Sequence, residues 1–214
     1  MPAADYHFVC EDANGERSTE VFFSKGMGEP WLNRWFTINA CNYCDDIFAE
    51  CADVVCMDAW LPEYWSDPNG HNLVIVRSPK IFQTIIGGIQ REQLKLKDIS
   101  IDDVIRSQNE VIYGKRVLLS YRLNLARKQG KKRPQNKRID AGGSYNLLLS
   151  KLTQNLLEMQ KESRELSQAI LFDREEDILL LRSKLRPYLL KVSRVNKILR
   201  IWSLPRRLLK RISK

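Results

Sequence analysis

Residues 41–60 read CNYCDDIFAECADVVCMDAW and hold four of the five cysteines of this 214-residue chain. The spacing of Cys41, Cys44, Cys51 and Cys56 is C-x2-C-x6-C-x4-C. Thiolates donate strongly to soft metals and to iron–sulfur clusters, and a C-x2-C pair places two sulfurs on one centre. Four such ligands complete a [4Fe–4S] cluster or an all-cysteine zinc site. The run matches neither the repeated C-x2-C of bacterial ferredoxins nor the widely separated knuckles of a zinc ribbon. Cys41 and Cys44 are therefore the firmest ligand candidates. Cys51 follows them, and Cys56 lies in ADVVCM (52–57), which reads as a short buried strand. There a structural cysteine competes with a ligand. Cys10, outside the run, reads as a small buried hydrophobe.

Acids surround the sulfurs. Asp45 and Asp46 follow Cys44 directly, and Glu50, Asp53 and Asp58 come soon after. A hydrated loop accounts for them. Alternatively Asp46, Glu50, Asp53 and Asp58 are cofactor-binding, lending hydrogen bonds or local charge to a redox centre. His7 and His71 are the only histidines, and neither has the neighbours of a catalytic triad. No nucleophile elbow, P-loop or dinucleotide-binding glycine motif occurs, and GMGEP (26–30) is too short for a phosphate loop.

Outward from the cysteines, the pattern is of short strands and helices. DYHFVCED and RSTEVFFS flank Asn14-Gly15, a hairpin signature. GEPWLNRWF (28–36) reads as a loop and a short aromatic segment. Asp67-Pro68-Asn69-Gly70 is a turn, and LVIVR (73–77) is a β-branched strand. Ser78-Pro79 starts a helix that Gly87-Gly88 weakens. LKLKDI (94–99) reads as another strand, and Ser100 caps a helix with acids in its first turn. RKQGKKRPQNKRIDAGGS (127–144) is basic and aperiodic, a linker. Beyond it apolar positions recur at four-three spacing: Leu152, Leu156, Met159, Leu166, Ile170, with Ser163 filling the gap. After FDREED the seam resumes one residue out of phase, from Ile178 through Leu181, Leu185, Tyr188, Val192, Val195 and Leu199 to Trp202. This predicts two helices folded as a hairpin, or one helix with a skip, with Pro187 kinking or restarting the second. The expected fold class is α+β, a small mixed sheet with packed helices followed by a mainly helical C-terminal tail. The expected domains are 1–128, a basic linker at 129–144 and an amphipathic helical tail at 145–214.

The formal net charge is +9. Arg17, Lys25 and Arg34 are the only bases in residues 1–60, whereas bases dominate from Lys115 onward. A cationic half suits an anionic membrane surface, an acidic partner or nucleic acid. Poor aromatic interleaving around the basic linker argues against single-stranded nucleic acid. No apolar run reaches the about 18 residues that span a membrane. The N-terminus lacks the basic and apolar regions of a secretory signal, which predicts a cytoplasmic protein, peripheral at the inner membrane face if its basic tail docks there.

The segment C-x2-C-x-D-x2-A-E-x-A-D-V-x3-D-A-W, here Cys41, Cys44, Asp46, Ala49-Glu50, Ala52-Asp53-Val54 and Asp58-Ala59-Trp60, resembles the coenzyme F420 hydrogenase/dehydrogenase beta-subunit family in its C-terminal domain. GEPWLNRWF and GHNLVIVRSPK (70–80) are similar to the flanking segments, and the resemblance covers about residues 5–135. It implies an iron–sulfur flavoprotein that passes electrons between a [4Fe–4S] cluster and FAD, with coenzyme F420 as acceptor in archaeal members. Bacterial relatives imply a setting in polysaccharide biosynthesis. The family's long N-terminal part, with further cysteines and much of the flavin site, has no counterpart here. The expectation is thus of a partial domain whose cluster and FAD need that region or a partner chain. Met57 replaces the usual glycine before the D-A-W, where a side chain would obstruct a cofactor. The expected function is an electron-transfer oxidoreductase component. The alternative is a non-enzymatic cysteine-bearing module, zinc-bound or apo, whose basic tail holds a partner or a membrane.

Overall fold

A computed structural model describes residues 5–17, 21–26, 28–141, 146–169 and 175–212. In chain order the elements are β1 (His7–Phe8), β2 (Val21–Phe22), α1 (Gly28–Leu32), α2 (Asn39–Asn42), β3 (Val54–Asp58), β4 (Asn72–Val76), α3 (Pro79–Gln90), α4 (Ile101–Ser107), α5 (Asn109–Ile112), a π-helical turn (Tyr113–Val117), α6 (Leu118–Lys128), α7 (Leu147–Ala169) and α8 (Glu175–Ile212). The class is α+β. The described strands form two separate antiparallel pairs, β1–β2 and β3–β4, rather than one mixed sheet.

The chain divides into two compact units, and the division is not linear. One comprises Met1–Gly28 and Asp45–Lys115, the other Glu29–Cys44 and Arg116–Lys214. The second unit thus joins a piece of the sequence around GEPWLNRWF to α6 and to the helices beyond the basic segment, across the boundary expected at residue 128.

In the first unit the expected hairpin forms with a different turn. Gly15 adopts φ +83°, and its N–H bonds the carbonyl of Asp12 at 3.1 Å. The Asp12 carboxylate accepts from the N–H groups of Asn14 and Glu16, both at 2.9 Å. Asn14 keeps a negative φ, so Asn14-Gly15 closes a three-residue loop with glycine in the left-handed position, not a two-residue turn. Gly28 is a close-approach glycine: a Cβ there would lie 2.8 Å from the Phe23 carbonyl oxygen and 2.7 Å from its ring. The β3–β4 pair runs from Val54 opposite Val76 to Asp58 opposite Asn72. Asp67 bonds the N–H of Asn69 at 2.9 Å and His71 Nε2 at 2.8 Å, and Tyr64 stacks on His71, which gives that histidine a structural place in the turn. The helix starting at Pro79 continues through Gly87-Gly88 to Gln90. Ser100 caps α4, accepting from Asp103 N–H at 3.1 Å. Residues 94–99 form no strand. Leu94 to Asp98 are exposed, and no neighbouring strand pairs with them, so alternation alone did not make a sheet there.

In the second unit α7 and α8 pack antiparallel, as a helix hairpin. Met159 meets Leu181 and Leu185, while Leu152, further back along α7, meets Val192 and Val195, further along α8. The predicted seam positions Leu152, Met159, Leu181, Leu185, Val192 and Val195 are buried. Ile170 lies outside the described residues, as do the side chains of Ile178 and Trp202. Asn146 starts α7, accepting from Leu148 and Leu149 N–H groups at 2.9 and 3.2 Å. α8 is helical without interruption through Pro187, so the helix does not restart there. Pro187 is exposed, so its ring costs one backbone bond without entering the core. α6 adds Leu118, Leu119, Leu123 and Ala126 to the buried set and packs on α7.

Candidate functional site

The C-x2-C pair belongs to the second unit, which ends its first segment at Cys44. What seats it there begins at Trp35. Arg34 and Phe36, on either side, take φ of +55° and +59°. Left-handed backbone at non-glycine residues costs about 1–2 kcal/mol each, so something must hold the turn. Trp35 is buried against Met159, Leu181 and Leu185. Ser163, wholly buried on α7, accepts the Phe36 N–H at 2.9 Å and donates to the Gln160 carbonyl at 2.9 Å. Arg164 donates to the carbonyl of Thr37. The serine that interrupts the apolar seam of α7 is thus the docking point of the 34–37 turn.

Four residues on, α2 carries Cys41, and Cys44 follows two residues past its end. Asn42, between them, is buried, and its side-chain N–H donates to Gln160 Oε1 at 2.8 Å. Its carbonyl accepts from Arg122 Nε at 2.6 Å. Burial first, and the nearby Arg34 cation second, push the Arg122 pKa down to about 10, with Tyr43 opposing them. The guanidinium therefore stays cationic at neutral pH, close behind the C-x2-C backbone. Cys41 is exposed and Cys44 half-buried. The arrangement anchors the backbone of the pair from inside, turns Cys41 to solvent, and favours a negatively charged group near it.

Cys51 and Cys56 belong to the first unit. Both are exposed, as is Cys10. Cys56 lies on β3 opposite Val74, in a strand whose sides alternate between exposed and half-buried, so the expectation of a buried structural cysteine fails at Cys56 and at Cys10 alike. A short two-stranded ribbon cannot bury both of its faces. Met57 is half-buried and pairs with Leu73, a packing role.

Two cations fix the loop that carries Cys51. Arg77, just past β4, donates to the carbonyls of Ala52 and Phe48 at 2.9 Å and of Ala49 at 3.2 Å. Lys115 donates to the Asp46 carbonyl at 2.9 Å. The acids take mixed parts. The Asp46 carboxylate accepts the Glu50 N–H at 3.2 Å. Asp53 is exposed, and its carbonyl accepts from Arg77 and Ser78 N–H groups. The Asp58 carbonyl accepts from Gln108 Nε2 at 2.9 Å. Its carboxylate, after burial, helps hold the Tyr6 phenol above its ordinary pKa. Sequence reasoning did not find Arg77, Arg122, Asn42, Gln160 or Ser163 as site-builders. Each acts on main-chain or amide groups brought near by long-range folding.

A [4Fe–4S] cluster or a structural zinc asks for four converging ligands. Among the described residues no group of three or more His, Cys, Asp or Glu side chains is placed to hold a metal ion. No helix among the described residues is long and apolar enough to cross a membrane.

Residues 4–102 match the family model for the C terminus of the coenzyme F420 hydrogenase/dehydrogenase beta subunit. No curated protein and no solved structure matches the chain.

Proposed function

We propose that the chain, whose residues 4–102 match the family model for the C terminus of the coenzyme F420 hydrogenase/dehydrogenase beta subunit, is an electron-transfer component that contributes thiolates to a [4Fe–4S] centre completed by another polypeptide. The observation that carries this reading is the seating of Cys41 and Cys44. Asn42 is locked from within by Gln160 and Arg122, and Cys41 faces solvent over a buried positive charge. Such a pair supplies two ligands and leaves the others to come from another chain. Asp46, Glu50, Asp53 and Asp58 are assigned to the cofactor's surroundings through their charge. FAD and coenzyme F420 are the electron carriers the reading places beside the centre, on residues of the partner. Exposed Trp60, Trp65, Phe82 and Ile101 in the first unit suit a surface that another chain covers. The basic helix α8, which this chemistry does not use, is assigned to attachment of the chain to an anionic surface.

Anaerobic reconstitution of the purified chain with ferrous iron and sulfide tests the reading, followed by iron, sulfide, zinc and flavin analysis. The expected result is substoichiometric iron and sulfide, lost in the Cys41→Ser/Cys44→Ser variant. A full [4Fe–4S] cluster with stoichiometric FAD on the chain alone overturns the shared site. Iron binding indifferent to both serines overturns the ligand assignment, and tight zinc in place of iron favours the non-enzymatic module.

A further inference from the structure

α8 has two apolar faces. One is the seam against α7, with Leu181, Leu185, Val192 and Val195 buried. The other is bare. Leu179, Leu190 and Ile201 are 56%, 49% and 63% exposed, and they recur at eleven-residue intervals. Eleven residues make three helical turns and about 20°, so the three lie along one line of the helix. Leu180 and Ile198, both exposed, lie beside that line. Leu181 and Val192 stand two residues on from Leu179 and Leu190, about 200° round the axis. The bare stripe therefore runs along the side of α8 away from its seam, over roughly 33 Å at 1.5 Å per residue.

The stripe is set among cations. No Asp or Glu occurs from Ile178 to Ile212, a stretch with eleven Lys and Arg. Arg194 and Lys197, both exposed, fall within the sector of the stripe itself.

We propose that this outward face of α8 is a lipid-docking surface, which lies along an anionic bilayer with Leu179, Leu190 and Ile201 in the acyl boundary and the flanking bases among the headgroups. The proposal rests on the assignment of α8 to attachment and specifies its face and its ligand. A bilayer accepts both properties at once: apolar side chains enter the interface, and Lys and Arg extend along it to reach phosphate. The other occupants fit less well. A partner helix wants apolar residues at three- and four-residue steps, whereas here Ser183, Arg194 and Lys197 interleave them. A second copy laid along the stripe would set the acid-free stretch 178–212, with its eleven bases, against the same stretch, with like charges opposed. Phosphate of a nucleic acid would leave the leucines without a partner.

Flotation of the full chain with vesicles tests this, using phosphatidylcholine alone or with phosphatidylglycerol. A Leu179→Gln/Leu190→Gln/Ile201→Gln variant changes exposed positions only, and thermal unfolding checks its fold. The wild type is expected to float with the anionic vesicles and not with the neutral ones. The variant, with its charge intact, is expected to lose at least about tenfold in binding. If the variant floats as well as the wild type, attachment is by charge alone, and the stripe proposal falls while the assignment of α8 to attachment stands. If the wild type floats with neither vesicle, both fall. If the wild type sediments as a dimer and the variant as a monomer, the stripe is a self-association face and the proposal is overturned.

Discussion

Asn42 carries both anchors of the cysteine pair, and single residues decide whether the pair holds its place. Its amide donates to Gln160 and its carbonyl accepts from Arg122, all three residues being buried. Replacing it with alanine leaves Gln160 Oε1 without that donor inside the unit, and a buried acceptor deprived of its partner costs about 1–3 kcal/mol. Asn42→Ala is therefore expected to lower the unfolding free energy by that amount in a denaturant titration, whereas the exposed Cys41→Ser change is expected to leave it nearly unaltered. The sequence displayed the cysteines and their spacing openly, because ligand chemistry is written in residue type. It did not display Asn42, Gln160 or Arg122 as a set. Asn42 and Arg122 stand 80 positions apart, Asn42 and Gln160 stand 118 apart, and their polar groups meet only after the helices have packed. Cys10 and Cys56 show the converse. Apolar neighbours in the sequence suggested burial, but Cys10 lies past the end of a two-residue strand and Cys56 on a two-stranded ribbon, and both are exposed.

At the scale of elements, periodicity was the readable signal. The four-three seams of α7 and α8 gave both helices, and their antiparallel packing confirms the phase shift as a change of helix. Leu185 is fully buried in that interface. Leu185→Ala removes methyl groups and leaves a cavity, for an expected loss of about 2–5 kcal/mol measured by chemical denaturation. Short strands were less legible, since their formation depends on a partner edge: LVIVR found β3, and LKLKDI found none. In the first unit α4 is tied by charge. Arg106 reaches Glu63 at 2.7 Å and Asp103 at 2.9 Å. The hydrogen bonds from Arg106 hold the Glu63 carboxyl below its usual value, and those from Arg106 and Ser100 do the same for Asp103. A carboxyl whose folded pKa is depressed stabilises the fold while it is ionised. That contribution is present above the ordinary values of about 3.9 and 4.3 and fades as pH falls through the depressed ones. Thermal melts between about pH 6 and 3 are thus expected to show a steeper acid-side decline in the wild type than in Arg106→Gln. All three side chains are exposed, so added salt is expected to narrow the difference.

For the whole molecule the sequence suggested a linear plan, a domain, a linker and a tail. The compact units follow a different course, because Trp35 and Ser163 join residues 29–44 to helices more than a hundred positions away. No local pattern announces such a partnership. The only trace was a serine in an apolar seam, and a serine there is ambiguous until its partner is seen. The consequence for function is that the helices outside the family match hold the cysteine pair inside it. That claim is tested most directly by native-state hydrogen exchange at residues 35–44, comparing the wild type with Leu185→Ala. The account predicts that amides of this segment lose protection in the variant in step with those of α7 and α8, since one cooperative unit holds them all. Exchange at 35–44 that stays unchanged while the α7 and α8 amides lose protection would contradict it, and would return the C-x2-C pair to the strands that follow it in sequence.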